Sequence, residues 1–237
     1  MFDFVYIFRG LGMLMQPGLK RYLLVPTLIS ALILAALLWI ATVQFEVFMT
    51  WALPGEDSWF YWIRWLLWPL FAVTFALLVF YSFTTLANLI AAPFNSRLSE
   101  IVAHRLQNET AALPELPLLK DIGRSIASEL RKLSYYLLRA VPLLILMLFP
   151  LTSAIASLVW LLFTLWFLSI EYIAYPMENR QLLFADQKAE MRRRPLTAMS
   201  FGGGVFVLML IPVLNLAVMP AAVVGATLLW HEKIRSD

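Results

Sequence analysis

Residues 199–230 read MSFGGGVFVLMLIPVLNLAVMPAAVVGATLLW, 32 consecutive residues without an Asp, Glu, Lys or Arg. An uncharged run of that length belongs in lipid, yet two membrane crossings need about 40 residues plus a turn. A single crossing does not fit either. Basic residues flank the run on both sides, at Arg192-Arg193-Arg194 and at Lys233 and Arg235, and short Lys/Arg-rich flanks stay on the cytoplasmic face. The segment is therefore expected to enter and leave by one face, as a hairpin that penetrates partway. Pro212, Asn215 and Pro220 sit near its middle, where the turn should fall. From Gly202 to Ile211 its first arm has ten residues, about 15 Å of helix, or half of a ~30 Å hydrocarbon core.

The rest of the chain sorts by the same reasoning. Of 237 residues, 62% are hydrophobic and 14% charged, with a mean hydropathy of +0.79. That leaves too little polar surface for a water-soluble globule and argues against a disordered regulator. There is no cysteine, so disulfides, thiolate metal sites and cysteine nucleophiles fall away. The two histidines, His104 and His231, are far apart in sequence, and neither a metal site nor a cofactor site is expected. The N-terminus lacks the basic start of a cleavable signal peptide. Lys and Arg gather in four clusters, Arg9 to Arg21, Arg97 to Arg139, Arg180 to Arg194, and Lys233 with Arg235, with Arg64 alone outside them. Sharing one side, they place both termini in the cytoplasm and require each apolar region between them to go out and come back.

Leu23–Phe45 is uncharged over 23 residues, about 34 Å of helix, and reads as a first full span. Glu46, Glu56 and Asp57 with the Pro54-Gly55 turn suit the outer face. A second span, residues 59–94, opens with an aromatic belt of Trp59, Tyr61, Trp62, Trp65 and Trp68, from which Arg64 can snorkel, and continues into the cytoplasm past Pro93. Residues 95–139 read as a cytoplasmic or interfacial segment with Pro114–Pro117 as a linker. Within it Leu119, Ile122, Ile126, Leu130, Leu133 and Leu137 recur at helical spacing, while Lys120, Arg124, Arg131 and Lys132 take other faces. Residues 140–176 read as a first partly penetrating hairpin, with Pro150, Thr152 and Ser153 at its tip and a longer second arm. Residues 199–230 form the second. Leu146-Met147-Leu148-Phe149-Pro150-Leu151 aligns without a gap on Leu208-Met209-Leu210-Ile211-Pro212-Val213, a short internal repeat. The predicted fold is an all-α, multi-pass membrane domain over residues 1–237.

Several residues could carry chemistry. Gln16-Pro17-Gly18-Leu19-Lys20-Arg21 precedes the first span. Glycine there lets the backbone approach a ligand, its amides could form an anion nest, and Lys20 and Arg21 add charge beside a helix start. Such a site suits a tetrahedral oxyanion such as sulfate or phosphate better than a halide, although paired basic residues also flank most cytoplasmic helix ends. Asn88, Asn95, Arg97 and Glu100 could line a vestibule or form a solvated helix end, with Arg97 and Glu100 paired at i, i+3. Hairpins that turn inside the bilayer start their outgoing helices at mid-depth. They would place positive helix poles near Ser153 and Asn215, or those turns could be structural breaks only. Glu171, an acid at the edge of an apolar arm, could titrate and couple protons, or sit at headgroup level near Arg180. Arg192–Arg194 reads as a flank that meets anionic lipid rather than nucleic acid. Asn108-Glu109-Thr110 and Gly10-Leu11-Gly12 match glycosylation and dinucleotide patterns in the wrong context.

Taken together, Pro17-Gly18-Leu19-Lys20-Arg21, Ala92-Pro93-Phe94-Asn95, Tyr175-Pro176-Met177-Glu178-Asn179, Ile211–Pro220 and Gly225-Ala226-Thr227 resemble, in order and spacing, the CysZ-type sulfate permeases of bacterial inner membranes. The resemblance implies sulfate uptake for cysteine synthesis; an enzyme is not expected, because the sequence shows no convergent acids or histidines such as a lipid-modifying enzyme would need. The resemblance also implies two long membrane helices with partly penetrating hairpins, assembly into homo-oligomers, and sulfate bound at Gly18, Leu19, Lys20 and Arg21. Lys20 stands where the family pattern often has Arg, which keeps the charge but loses the planar fork and shifts weight to Arg21. No Walker-type ATPase motif occurs, so uptake would follow a gradient. A membrane scaffold without transport is the alternative reading.

Overall fold

The computed structural model describes residues 3–52, 62–107 and 118–235. Among them all regular structure is helical: α1 (Val5–Leu14), α2 (Arg21–Ala52), α3 (Ile63–Leu106), α4 (Leu118–Met147), α5 (Pro150–Glu178), α6 (Phe184–Arg193), α7 (Pro195–Met209), α8 (Pro212–Leu229) and a closing π-turn at Trp230–Ile234. Apolar runs leave backbone groups few partners but each other, and a helix satisfies them within one segment. The chain divides into two compact units, Val25–Ala91 and the remainder, Met1–Leu24 with Ala92–Asp237.

The Val25–Ala91 unit consists of the paired parts of α2 and α3. Phe45 meets Trp68 edge-on at 5.7 Å and Phe48 meets Phe71 at 5.6 Å, contacts that fix how the two helices face. Between them lies an apolar cleft of about 500 Å³, lined by Leu38, Ala41, Phe45, Ala76, Phe80 and others. α2 outruns the expected end at Phe45 and continues to Ala52, while α3 passes through Pro69 and Pro93 unbroken to Leu106. The Pro54-Gly55 turn with Glu56, Asp57, Trp59 and Tyr61, the Pro114–Pro117 linker and Asn108 lie outside the described residues, as does the Arg64 side chain. α2 and α5 are long and apolar enough to cross a membrane, while the described apolar part of α3 is shorter, Trp65–Tyr81.

The other unit is built around α8. The amphipathic α1 lies against it with Tyr6, Ile7, Gly10 and Leu14 buried. Their backbones touch. A Cβ on Gly10 would overlap the Ala221 carbonyl oxygen, and one on Gly225 would stand 2.5 Å from the Tyr6 carbonyl oxygen. Small residues spaced by four let membrane helices approach this closely, which gives Gly10 a packing role in place of the discounted dinucleotide pattern. At the chain ends Arg9 grips Glu232 with both nitrogens, at 2.7 and 2.6 Å, and Lys233 pairs with Asp3. The Arg9 fork holds the Glu232 carboxyl below its usual range, against the opposing effect of partial burial.

The two later apolar stretches form the helix pairs α4/α5 and α7/α8, and the short repeat has one geometry in both. Phe149 (φ −97°, ψ 123°) and Ile211 (φ −97°, ψ 105°) are extended, and Pro150 and Pro212 open the next helix. Proline forbids the helical conformation to its predecessor and presets its own for a first turn. The residues before them close alike, Leu148 N–H on the Ile145 carbonyl and Leu210 N–H on that of Val207. The boundaries differ from expectation. α4 runs without a break from Leu118 through the border at 139/140, α7 begins at Pro195 rather than Gly202, and the second turn falls at Leu210-Ile211. Asn215 and Pro220 lie inside α8. The first arm is thus 15 residues, about 22 Å long.

Candidate functional site

Gln16, Pro17, Gly18 and Leu19 form a tight turn between α1 and α2. Leu19 N–H donates to the Gln16 carbonyl at 3.2 Å, and Gly18 has φ +86°. Proline second and a left-handed glycine third make a type II turn. Leu19 is fully buried and anchors the loop, leaving Lys20 and Arg21 exposed beside it. The Tyr22, Leu23 and Leu24 amides are already bonded to Leu19 and Lys20 carbonyls. An anion would instead meet the amides of Gly18, Lys20 and Arg21, which have no backbone acceptor among the described residues. The Arg21 guanidinium stands 5.0 Å from the Tyr22 ring centre and donates to its hydroxyl at 3.2 Å, which limits its rotation. Arg105, unremarked in the sequence, reaches this turn from the end of α3: its Nη2 lies 3.4 Å from the Pro17 carbonyl oxygen.

The remaining candidates lie elsewhere. Arg97 and Glu100 form the expected i, i+3 ion pair, and Asn95, two residues before Arg97, is buried. The Asn88 side chain lies outside the described residues, as does that of Asn215. Ser153 and Asn215 occupy matching places in the first turns of α5 and α8. The Ser153 hydroxyl donates to the Pro150 carbonyl at 3.1 Å and its N–H to that of Phe149 at 2.9 Å. The tip around it is greasy, with Leu148 80% and Leu151 96% exposed.

Two of the segments that carried the resemblance, those ending at Asn179 and at Thr227, are held to α3 just beyond Asn95. Ser96 donates to Asn179 Oδ1 at 3.0 Å and receives Asn179 Nδ2 on its carbonyl at 3.1 Å, which ties α3 to the end of α5. The Ser99 hydroxyl meets that of Thr227 at 2.9 Å in the core between α3 and α8. Buried polar pairs of this kind specify one helix register, because any slip leaves them unpaired.

Glu171 sits beside a buried ionic cluster that was not foreseen. Lys132 of α4, 2% exposed, lies 3.0 Å from Glu129 and 3.7 Å from Glu178, and its ammonium faces the Tyr175 ring at 4.3 Å. The Tyr175 hydroxyl donates to Glu129 at 2.9 Å. Lys132 Nζ also approaches the Glu171 carbonyl oxygen at 3.5 Å. Burial would lower the Lys132 ammonium, but Glu178 and then Glu129 outweigh it and hold it above its usual range. α4 therefore turns charge inward, while Leu130, Leu133 and Leu137 of its apolar stripe are 53%, 45% and 48% exposed.

Comparison with known proteins agrees with these local matches. The family model described as Sulfate transporter CysZ/Etoposide-induced protein 2.4 matches residues 6–220. A protein of Pseudomonas fluorescens named Sulfate transporter CysZ is 41% identical over 227 residues, 95% of this chain and 91% of the relative. Proteins of the same name from Pseudomonas syringae pv. tomato, 39% identical, and Pectobacterium atrosepticum, 36% identical, each align with 98% of the chain and with 92% and 85% of their own lengths. With the family model matching residues 6–220 and these relatives aligned over 95% or more of its length, the chain belongs to the Sulfate transporter CysZ/Etoposide-induced protein 2.4 family.

Proposed function

We propose that the protein is a sulfate permease of the bacterial inner membrane, supplying sulfate for cysteine biosynthesis. The observation that carries this reading is the near full-length match to sulfate transporters. The Gly18 turn supports it, since it presents two cations and three backbone amides on one exposed loop. In this reading sulfate meets Gly18, Leu19, Lys20 and Arg21 at the cytoplasmic face, and both termini lie on that side. The α4/α5 and α7/α8 pairs are re-entrant, with greasy tips in lipid and the helix starts at Ser153 and Asn215 offering positive poles at depth. Asn88, Asn95, Arg97 and Glu100 line the route, and copies assemble into a homo-oligomer in contact with lipid.

Radiolabelled sulfate flux into proteoliposomes tests the reading. Wild type should take up sulfate, and Arg21→Ala should lower uptake about tenfold at sub-saturating sulfate, as for a lost charge-assisted contact. No flux for wild type would leave a scaffold as the better description. Equal flux for both proteins would remove Arg21 from the path. If a proton travels with sulfate through Glu171, Glu171→Gln should flatten the pH profile of uptake between pH 5 and 8, on the scale of about one pH unit or more. A superimposable profile dismisses that coupling.

A further inference from the structure

We infer that Arg105, at the inner end of α3, is a further anion-binding residue of the Gly18–Arg21 loop and supplies the planar donor fork that Lys20 does not. The inference rests on the proposed sulfate site at that loop. Arg105 is 88 residues away in sequence, yet its Nη2 points at the turn, 3.4 Å from the Pro17 carbonyl oxygen. The guanidinium lies directly over the glycine of the turn: a Cβ on Gly18 would stand 3.4 Å from that same nitrogen, an ordinary contact. It is the φ of +86° that disfavours a side chain at this position.

The chemistry of the loop explains the need. A tetrahedral dianion is held best by guanidinium forks that donate two parallel N–H bonds. Lys20 offers a point charge, and Arg21 is already drawn onto the Tyr22 ring and hydroxyl. Arg105 has five N–H donors on an exposed side chain, and its bond to the Pro17 carbonyl engages one nitrogen. A single long bond to a carbonyl holds the fork near the loop without saturating it.

Equilibrium binding of radiolabelled sulfate to the full-length protein in detergent, by scintillation proximity, tests the assignment with Arg21→Ala as a reference. Arg105→Ala should weaken sulfate about tenfold, and Arg105→Lys, which keeps charge but not the fork, by several-fold. Lys20→Arg should restore most of the binding lost in Arg105→Ala, because it returns a fork to the same loop. The thermal midpoint without sulfate should stay at the wild-type value in each variant. If Arg21→Ala weakens binding but Arg105→Ala does not, the loop site stands and the role of Arg105 is wrong. Full binding by Arg105→Lys, or no recovery on adding Lys20→Arg, would reduce Arg105 to a generic charge or a brace on the turn. If sulfate binds wild type and all of these variants alike, the loop site itself fails and Arg105 with it.

Discussion

Gly10→Leu is expected to yield protein whose N-terminal helix no longer docks, with a thermal midpoint in detergent far below wild type. Overpacking a core ordinarily costs about 1–3 kcal/mol because side chains can move aside. Here the obstacle is backbone: the new Cβ would meet the Ala221 carbonyl and the Gly225 amide nitrogen, the latter at 2.6 Å. The cost should exceed that range, and even Gly10→Ala should be damaging. Gly12→Leu is the control, since nothing lies within 4 Å of a Cβ there. Limited proteolysis between α1 and α2, together with the melting temperature, reads the difference. Equal behaviour of the two leucine variants would mean that α1 and α8 do not cross where described.

Lys132→Met should be nearly as harmful for the opposite reason, because space is kept and charge is lost. Removing one partner of a buried pair leaves the other uncompensated, at about 3–5 kcal/mol. Glu129 and Glu178 are only 18% and 17% exposed and stay behind. Adding Glu129→Gln should therefore recover part of the loss, since the amide oxygen can still accept from the Tyr175 hydroxyl without carrying charge. Thermal unfolding of the single and double variants decides this. A double variant less stable than Lys132→Met alone would show that Glu129 has compensation from elsewhere.

Much of the architecture was legible because lipid makes simple demands. Uncharged length marked α2, and basic clusters divided the chain. Prolines at positions 150 and 212 marked both turns, since a proline constrains its predecessor wherever it sits. Pro220 misled, because it was grouped with the turn and lies inside α8; Pro69 and Pro93, read as lying within a continuing span, are inside α3, as membrane helices tolerate. α1 escaped notice because Gly10 and Gly12 look like helix breakers in a sequence read by propensity. The spacing of Ile7, Gly10 and Leu14 was the available signal. The helical period of α4 was visible, but not that Lys132 would face inward, because periodicity separates faces without saying which one meets protein. Arg105 was invisible for a different reason: no local pattern links it to a turn 88 residues earlier.

The backbone crossing of α1 on α8 has a practical corollary for purification. Contacts that depend on expelling water from greasy area would be indifferent to, or loosened by, a solvent that is itself greasy, whereas close steric fit between glycine-faced helices gains nothing from water to begin with. The first ten or so residues of the folded N-terminus should then stay docked when bilayer is exchanged for micelle, and an epitope tag placed ahead of them will report on an intact molecule rather than on a frayed end.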